Sequence, residues 1–255
     1  MKRLAFRTSA ALVASAAIMV TPALAQDDDN GWSGEGSFSA GTTTGNTETT
    51  DLGLGLKLAR KAGVWTYSGE AVADYGEIDG LESRNRTFLA GSVDRQINDR
   101  LFGFGRVSYE VDQFTGFDSR TFLGAGLGYE VLQAPQSTWS VRGGPGVKID
   151  EVKRIITTDA LGAALIIPAE TETSFAVVGK SEFEYAFNES VTFTNVTDVL
   201  YAQESTQIGN TAAITASLTD SLSARVSFDV RHDTNPPLGF EDTDTATKIA
   251  VVYGF

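Results

Sequence analysis

Ser227, His232 and Asp233 are the three residue types of a hydrolytic triad, and they lie in one short stretch. A triad works only if nucleophile, base and orienting acid converge. Residues five apart in an extended chain point to opposite sides. Ser227 and His232 would therefore diverge, with His232 on the side of Phe228 and Val230. His232 is the single histidine, and cysteine is absent. That excludes a multi-histidine metal site, a cysteine-ligated metal, a thiol nucleophile and a disulfide framework. Glu182 and Glu184 share a side, but Lys180 joins them, so an ion-pair cluster explains them better than an acid/base pair. The acidic run Asp27 to Asn30 lacks the spaced ligands of a calcium loop. No catalytic residue, cofactor or metal is expected.

The larger chemical signal is a set of charges of both signs at alternating positions. Lys57, Glu70, Arg84, Arg86, Arg106, Glu110, Arg142, Lys180, Glu182, Glu184, Arg225, Asp229 and Lys248 all belong to it. Each lies opposite an apolar partner face, so all thirteen would point the same way, into a polar interior. They are the candidate lumen-lining residues of whatever architecture holds them.

Composition limits that architecture. The 255 residues carry 20 Lys+Arg against 33 Asp+Glu, a net charge of −13. This excess of acid argues against nucleic acid as a partner. Hydrophobic residues make up 42% and charged residues 21%, so the chain is not a disordered polyanion. Many glycines and few prolines suit β-structure with frequent turns.

The start has basic Lys2, Arg3 and Arg7, an apolar stretch from Ala10 to Val20, then Ala23-Leu24-Ala25. This is the pattern of a secretory leader over 1–25. The apolar stretch is shorter than the roughly 20 residues a membrane helix needs. Residues 26–31 then form a short acidic periplasmic terminus. Removing the leader takes three basic residues away and leaves the mature chain more acidic.

From residue 32 onward the hydrophobic period is two. Asp51 to Ala59 is the clearest case, with Leu52, Leu54, Leu56 and Leu58 on one face. A helix would spread these leucines around its axis, whereas a strand collects them. Twelve such segments follow one another: 32–43, 49–60, 64–76, 82–95, 101–112, 120–131, 138–150, 173–187, 191–201, 206–218, 222–233 and 243–255. Their length matches the roughly 9 to 11 residues of a tilted membrane strand. Strands of soluble sandwiches usually have about five or six. Aromatic residues such as Trp65, Tyr75, Tyr109, Tyr201 and Tyr253 gather near segment ends, as in interfacial girdles. The expected fold is all-β: a twelve-stranded antiparallel transmembrane β-barrel over 32–255. Connections at the end bearing both termini are short, and the two longest lie at the other end, the asymmetry of outer-membrane barrels. One apolar stretch, 155–168, sits in the longest connection. It could extend the flanking strands as a hairpin or fold over the barrel mouth.

Glycines recur at 103, 105, 124, 126, 128, 143, 144 and 146. Room for a narrow passage is one reading. Close packing against inward Phe102, Phe104 and Phe122 is the better one.

Two resemblances add to this. Ile249, Val251, Tyr253 and the terminal Phe255 resemble the carboxy-terminal insertion signal of outer-membrane barrels. That likeness implies recognition by the outer-membrane assembly machinery. The chain from residue 31 to 255 also resembles the YdiY-like, salt-induced outer-membrane proteins of the DUF481 family. The likeness rests on Gly41 to Thr47, Tyr109 to Arg120, Gly124 to Tyr129, Gly143 to Gly146, His232 to Pro237 and Thr243 to Thr245. It implies a barrel in the outer membrane of a Gram-negative bacterium, with both termini periplasmic and no family active site. Outer-membrane lipid and lipopolysaccharide are the implied surroundings. Two functions stay open: a small, weakly selective channel for ions or polar solutes, and a structural or envelope-stress barrel without steady conductance. A hydrolase is a third reading and rests on His232 alone.

Cleavage after Ala25 makes Gln26 the first residue of the mature protein. Intact-mass measurement of the membrane-extracted protein checks this, and a mass that retains residues 1–25 would refute it.

Overall fold

Each alternating segment forms a strand, and the strands close on themselves. The computed structural model describes residues 31–43, 49–158, 164–203, 205–236 and 242–255. The expected leader and residues 26–30 of the acidic terminus lie outside the described residues. The strands are β1 (Trp32–Thr43), β2 (Thr49–Ala62), β3 (Trp65–Ile78), β4 (Leu81–Gln96), β5 (Leu101–Asp112), β6 (Phe117–Ala134) and β7 (Ser137–Val152). They continue with β8 (Ile155–Thr158), β9 (Ala164–Ile167), β10 (Glu170–Ala186), β11 (Val191–Ala202), β12 (Thr206–Ser217), β13 (Leu222–Asp233) and β14 (Thr243–Gly254). Twelve of these form one closed antiparallel barrel, in the order β1-β14-β13-β12-β11-β10-β7-β6-β5-β4-β3-β2. β1, β5 and β13 have the bounds read from the sequence. β6, β7 and β10 run further toward the long-loop end, where Phe117 pairs with Val152 and Val152 with Glu170.

The apolar stretch in the longest connection resolves into the hairpin β8–β9, with Ile155 opposite Ile167. It is a two-stranded sheet of its own and takes no place in the barrel. At the start of the same connection, Lys153 Nζ donates to the carbonyls of Asp112, Gln113 and Thr115 at 3.1, 2.9 and 3.0 Å. That ammonium ties the β5–β6 turn to the exit of β7.

Turn chemistry follows the sequence closely. Asp79 and Gly80 both take positive φ, the conformation that joins twisted strands in a two-residue hairpin. At the terminus-bearing end one device recurs. Asn98 Oδ1 accepts from the amides of Arg100 and Leu101, and Asn188 Oδ1 from those of Ser190 and Val191. Thr219 Oγ1 accepts from Leu222 in the same way. A side chain that mimics a backbone turn holds each reversal.

The two faces separate as the alternation requires. Leu54, Leu123, Phe175, Ile249 and Val251 stand exposed on the outer wall, as do most large apolar side chains. A continuous apolar belt of this extent belongs against hydrocarbon rather than water. The inner face holds the charges, with Phe102, Phe104 and Phe122 buried among them. These rings explain Gly124, Gly128 and Gly146. A Cβ on Gly128 would lie 2.1 Å from the Phe102 ring, and one on Gly124 or Gly146 2.5 Å from that of Phe122. Between β6 and β7, a Cβ on Gly126 would sit 2.2 Å from the Gly143 carbonyl oxygen. Close packing, not a passage, accounts for these small residues.

Replacing Leu54 or Val251 by Arg places a charge on the apolar wall and should cost about 2–4 kcal/mol near the membrane centre. Lys57→Ser should be much milder, because Lys57 stands on the inner face and its side chain is 58% exposed. Folded fractions in liposomes check this; equal sensitivity on both faces would refute it.

Candidate functional site: a charge-crossed lumen

The alternation places all thirteen candidate residues on the inner face, and register then decides which of them meet. Glu110 on β5 is the centre. Arg86 of β4 donates to it through Nε at 2.9 Å and Nη2 at 2.6 Å. Arg231 of β13 reaches the same Oε2 at 3.0 Å. Five strands separate β5 from β13 in either direction around the barrel, so this contact runs along a diameter.

The chain of charges continues and closes. Arg86 Nη1 lies 3.2 Å from Asp74 Oδ2 on β3. Asp74 Oδ1 accepts from Lys248 Nζ of β14 at 2.8 Å, and Lys248 stands 4.0 Å from Asp229 of β13. Thr211 donates to Asp229 at 2.6 Å. Asp229 and Arg231 are inward neighbours on one strand. Arg231, Glu110, Arg86, Asp74, Lys248 and Asp229 thus form a chain of five contacts of alternating sign that spans the lumen, closed into a ring by the β13 backbone between Asp229 and Arg231. Bidentate and shared contacts of this kind are the stronger sort of charge-assisted hydrogen bond.

Other pairs cross at other points. Arg120 of β6 reaches Asp233 of β13 at 3.1 Å and lies over the Phe117 ring, 3.6 Å from its centroid. Arg142 of β7 joins Asp94 of β4 at 3.1 Å and Glu182 of β10 at 3.0 Å. Its guanidinium lies over Phe102, 5.2 Å from the ring centroid. Lys180 also pairs with Glu182, at 2.7 Å. Arg225 grips both oxygens of Glu35 at 2.9 Å across the intervening β14. Lys148 is buried with Asp150 at 2.6 Å and donates to Ser205 at 3.2 Å.

Of the sequence-derived set, Arg86, Glu110, Asp229 and Lys248 come together in the ring, and Arg142, Lys180 and Glu182 in a second cluster. Arg84 pairs near the rim with Asp51 at 3.2 Å, and Lys57 with Glu35 at 3.7 Å. Glu70, Arg106 and Glu184 take no ion pair among the described residues. Glu35, Arg120 and Asp233 escaped the sequence reading, although the alternation of their own strands could have found them. Ser227 faces inward opposite Lys248, and His232 lies on the other face with its Nδ1 2.9 Å from Thr243 Oγ1. The triad geometry is therefore not formed. The terminal signal residues Ile249, Val251, Tyr253 and Phe255 all stand on the outer wall, with the rings of Tyr253 and Phe255 stacked at 6.3 Å.

Glu110→Ala removes a carboxylate from two guanidiniums at once, Arg86 keeping only Asp74, whereas Arg231→Ala removes only the more exposed partner of Glu110. Hydrogen bonds to charged groups contribute about 1.5–3 kcal/mol. Glu110→Ala should lower the urea midpoint of the refolded barrel clearly more than Arg231→Ala. A double-mutant cycle on the two should return a coupling across the lumen. Additive effects would refute the diametric pair.

Comparison with known proteins agrees with the architecture. The sequence is 24% identical over 225 residues to YdiY of Escherichia coli K12, described as an uncharacterized protein, covering 86% of this chain and 82% of YdiY. The translocator domain of the autotransporter NalP from Neisseria meningitidis superposes with a TM-score of 0.50 at 12% identity, over 88% of this chain and 87% of that one. The NanC porin superposes with a TM-score of 0.46 at 12% identity, over 88% and 98%. The family DUF481, described as a protein of unknown function, matches residues 36–255, the whole barrel but for its first few residues, and the chain is a member of that family.

Proposed function

We propose that this is a barrel of the Gram-negative outer membrane, with both termini in the periplasm, that conducts ions weakly through a constricted charged lumen. Its surroundings are phospholipid and lipopolysaccharide, and its terminal strand is delivered by the outer-membrane assembly machinery. The apolar outer belt supports the location, and the short turns at the terminus-bearing end support the orientation.

The observation that carries the conductance reading is the ring through Glu110 and Arg231. A ring of ion pairs along a diameter is incompatible with a wide aqueous pore. It is nevertheless polar, and buried atoms of the other inner pairs, Asp94 Oδ1, Arg120 Nε, Arg142 Nε and Asp150 Oδ1, have no hydrogen-bonding partner among the described residues. Such groups ask for water, so the interior is one that water and small ions can share. Arg106, Glu70 and Glu184 add charges not committed to an ion pair among the described residues. A structural barrel without current is the second reading, favoured by the same crossing contacts if they never part.

Single-channel recording in planar bilayers separates the two. Small, weakly selective steps are expected. Arg106→Ser or Arg142→Ser should enlarge them or favour cations, and Glu110→Gln should shift preference toward anions. Both shifts should shrink at high salt, where exposed charges are screened. Silence from the parent and all variants would leave the structural reading. Current insensitive to these changes would refute the lumen assignment.

A further inference from the structure

The outer wall of β1 to β4 carries two exposed arginines near the end that bears the termini. Arg60 lies over Trp32, 5.5 Å from the ring centroid, and Arg95 over Trp65 at 5.6 Å. Register places them on either side of β3, one row apart: Arg60 is opposite both Trp32 and Tyr67, and Trp65, two residues from Tyr67 on the same face, is opposite Arg95. Neither arginine forms an ion pair among the described residues. A guanidinium held against an aromatic face keeps the edge of its fork free, and that edge fits the oxygens of a phosphate. An arginine on a lipid-facing wall is costly unless its head lies at the interface.

On the same wall, one outward step further from that end, lies a groove of about 340 Å³. Gly69 and Gly91 floor it, and Leu56, Leu58, Val107 and Tyr109 wall it. The two glycines are directly opposite each other. A Cβ on Gly69 would meet nothing within 4 Å, so no packing inside the protein requires glycine there. The row Leu58–Gly69–Gly91 adjoins the row Arg60–Tyr67–Val93 on the same face. A positively charged, aromatic-backed rim therefore opens into an apolar channel along the wall.

We propose that this surface binds one anionic glycerophospholipid, its phosphate on Arg60 and Arg95 and an acyl chain in the groove over Gly69 and Gly91. The inference rests on the membrane reading above, which puts this end at the phospholipid leaflet of the outer membrane. Charge complementarity selects the headgroup, and the missing side chains shape the wall for the chain.

Tryptophan quenching tests it. With Trp139→Phe as background, the two remaining tryptophans are Trp32 and Trp65, both in the site. The protein is refolded in phosphatidylcholine vesicles containing a rising fraction of phosphatidylglycerol with a brominated acyl chain, or of equally brominated phosphatidylcholine. Half-maximal quenching is expected at a several-fold lower fraction of brominated phosphatidylglycerol. In R60S/R95S the two curves should coincide. Gly69→Leu, which fills the groove and keeps both arginines, should weaken quenching by the anionic lipid. Equal curves in the parent, or a preference that survives R60S/R95S, would overturn the site. So would relief of the quenching by added lipid A but not by added unlabelled phosphatidylglycerol. Quenching by neither brominated lipid would overturn the membrane reading itself, and the site with it.

Discussion

Closure is the constraint on which the rest depends. A wall that faces hydrocarbon cannot leave backbone amides and carbonyls unpaired, so a sheet there must join its own edges. The join is β1 to β14, and it is short. Five register pairs, from Glu35 opposite Gly254 to Ser39 opposite Ala250, hold it. Phe255 extends it by exchanging backbone hydrogen bonds with Gly34 at 2.8 and 3.0 Å. Its ring lies where a Cβ on Gly34 would be, at 2.7 Å, so the small residue and the terminal aromatic are matched across the join. The lumen reinforces the same place. Arg225 to Glu35 and Lys248 to Asp74 both reach across the join from inside.

The two faces of the wall solve different problems. Outside, apolar side chains dominate: Asn195, Thr197 and Asn210 satisfy one another by hydrogen bonds on that wall, and Arg60 and Arg95 lie at the rim where a charge can meet a headgroup. Inside, charges of both signs compensate one another. The spanning ring holds three cations and three anions, so the chain's negative excess lies elsewhere, largely in connections and termini.

Much of this was legible in the chain. The leucines of β2 declare a strand and its faces, and Asn98, Asn188 and Thr219 mark turns that they do hold together. The candidate inner face could be read because alternation is local. The pairs across it were not, because Glu110 and Arg231 are 121 residues apart and meet only if barrel width matches two side-chain lengths. Strand count sets that width, and no local pattern encodes which charges then oppose one another. The stretch 155–168 was ambiguous because a short apolar run fits a hairpin that extends the flanking strands as well as a segment folded over the barrel mouth. The glycines of β6 and β7 were read correctly once Phe102 and Phe122 were placed on the same face.

The ring also bears on time. Hairpin contacts between successive strands form early and locally, whereas Glu110 can meet Arg231 only after the sheet has curled shut. Interactions absent from the transition state for assembly slow unfolding without speeding folding. The ring and the two pairs bridging the join thus act after insertion as a ratchet. They do little to bring the barrel together and much to lengthen the time for which it stays closed.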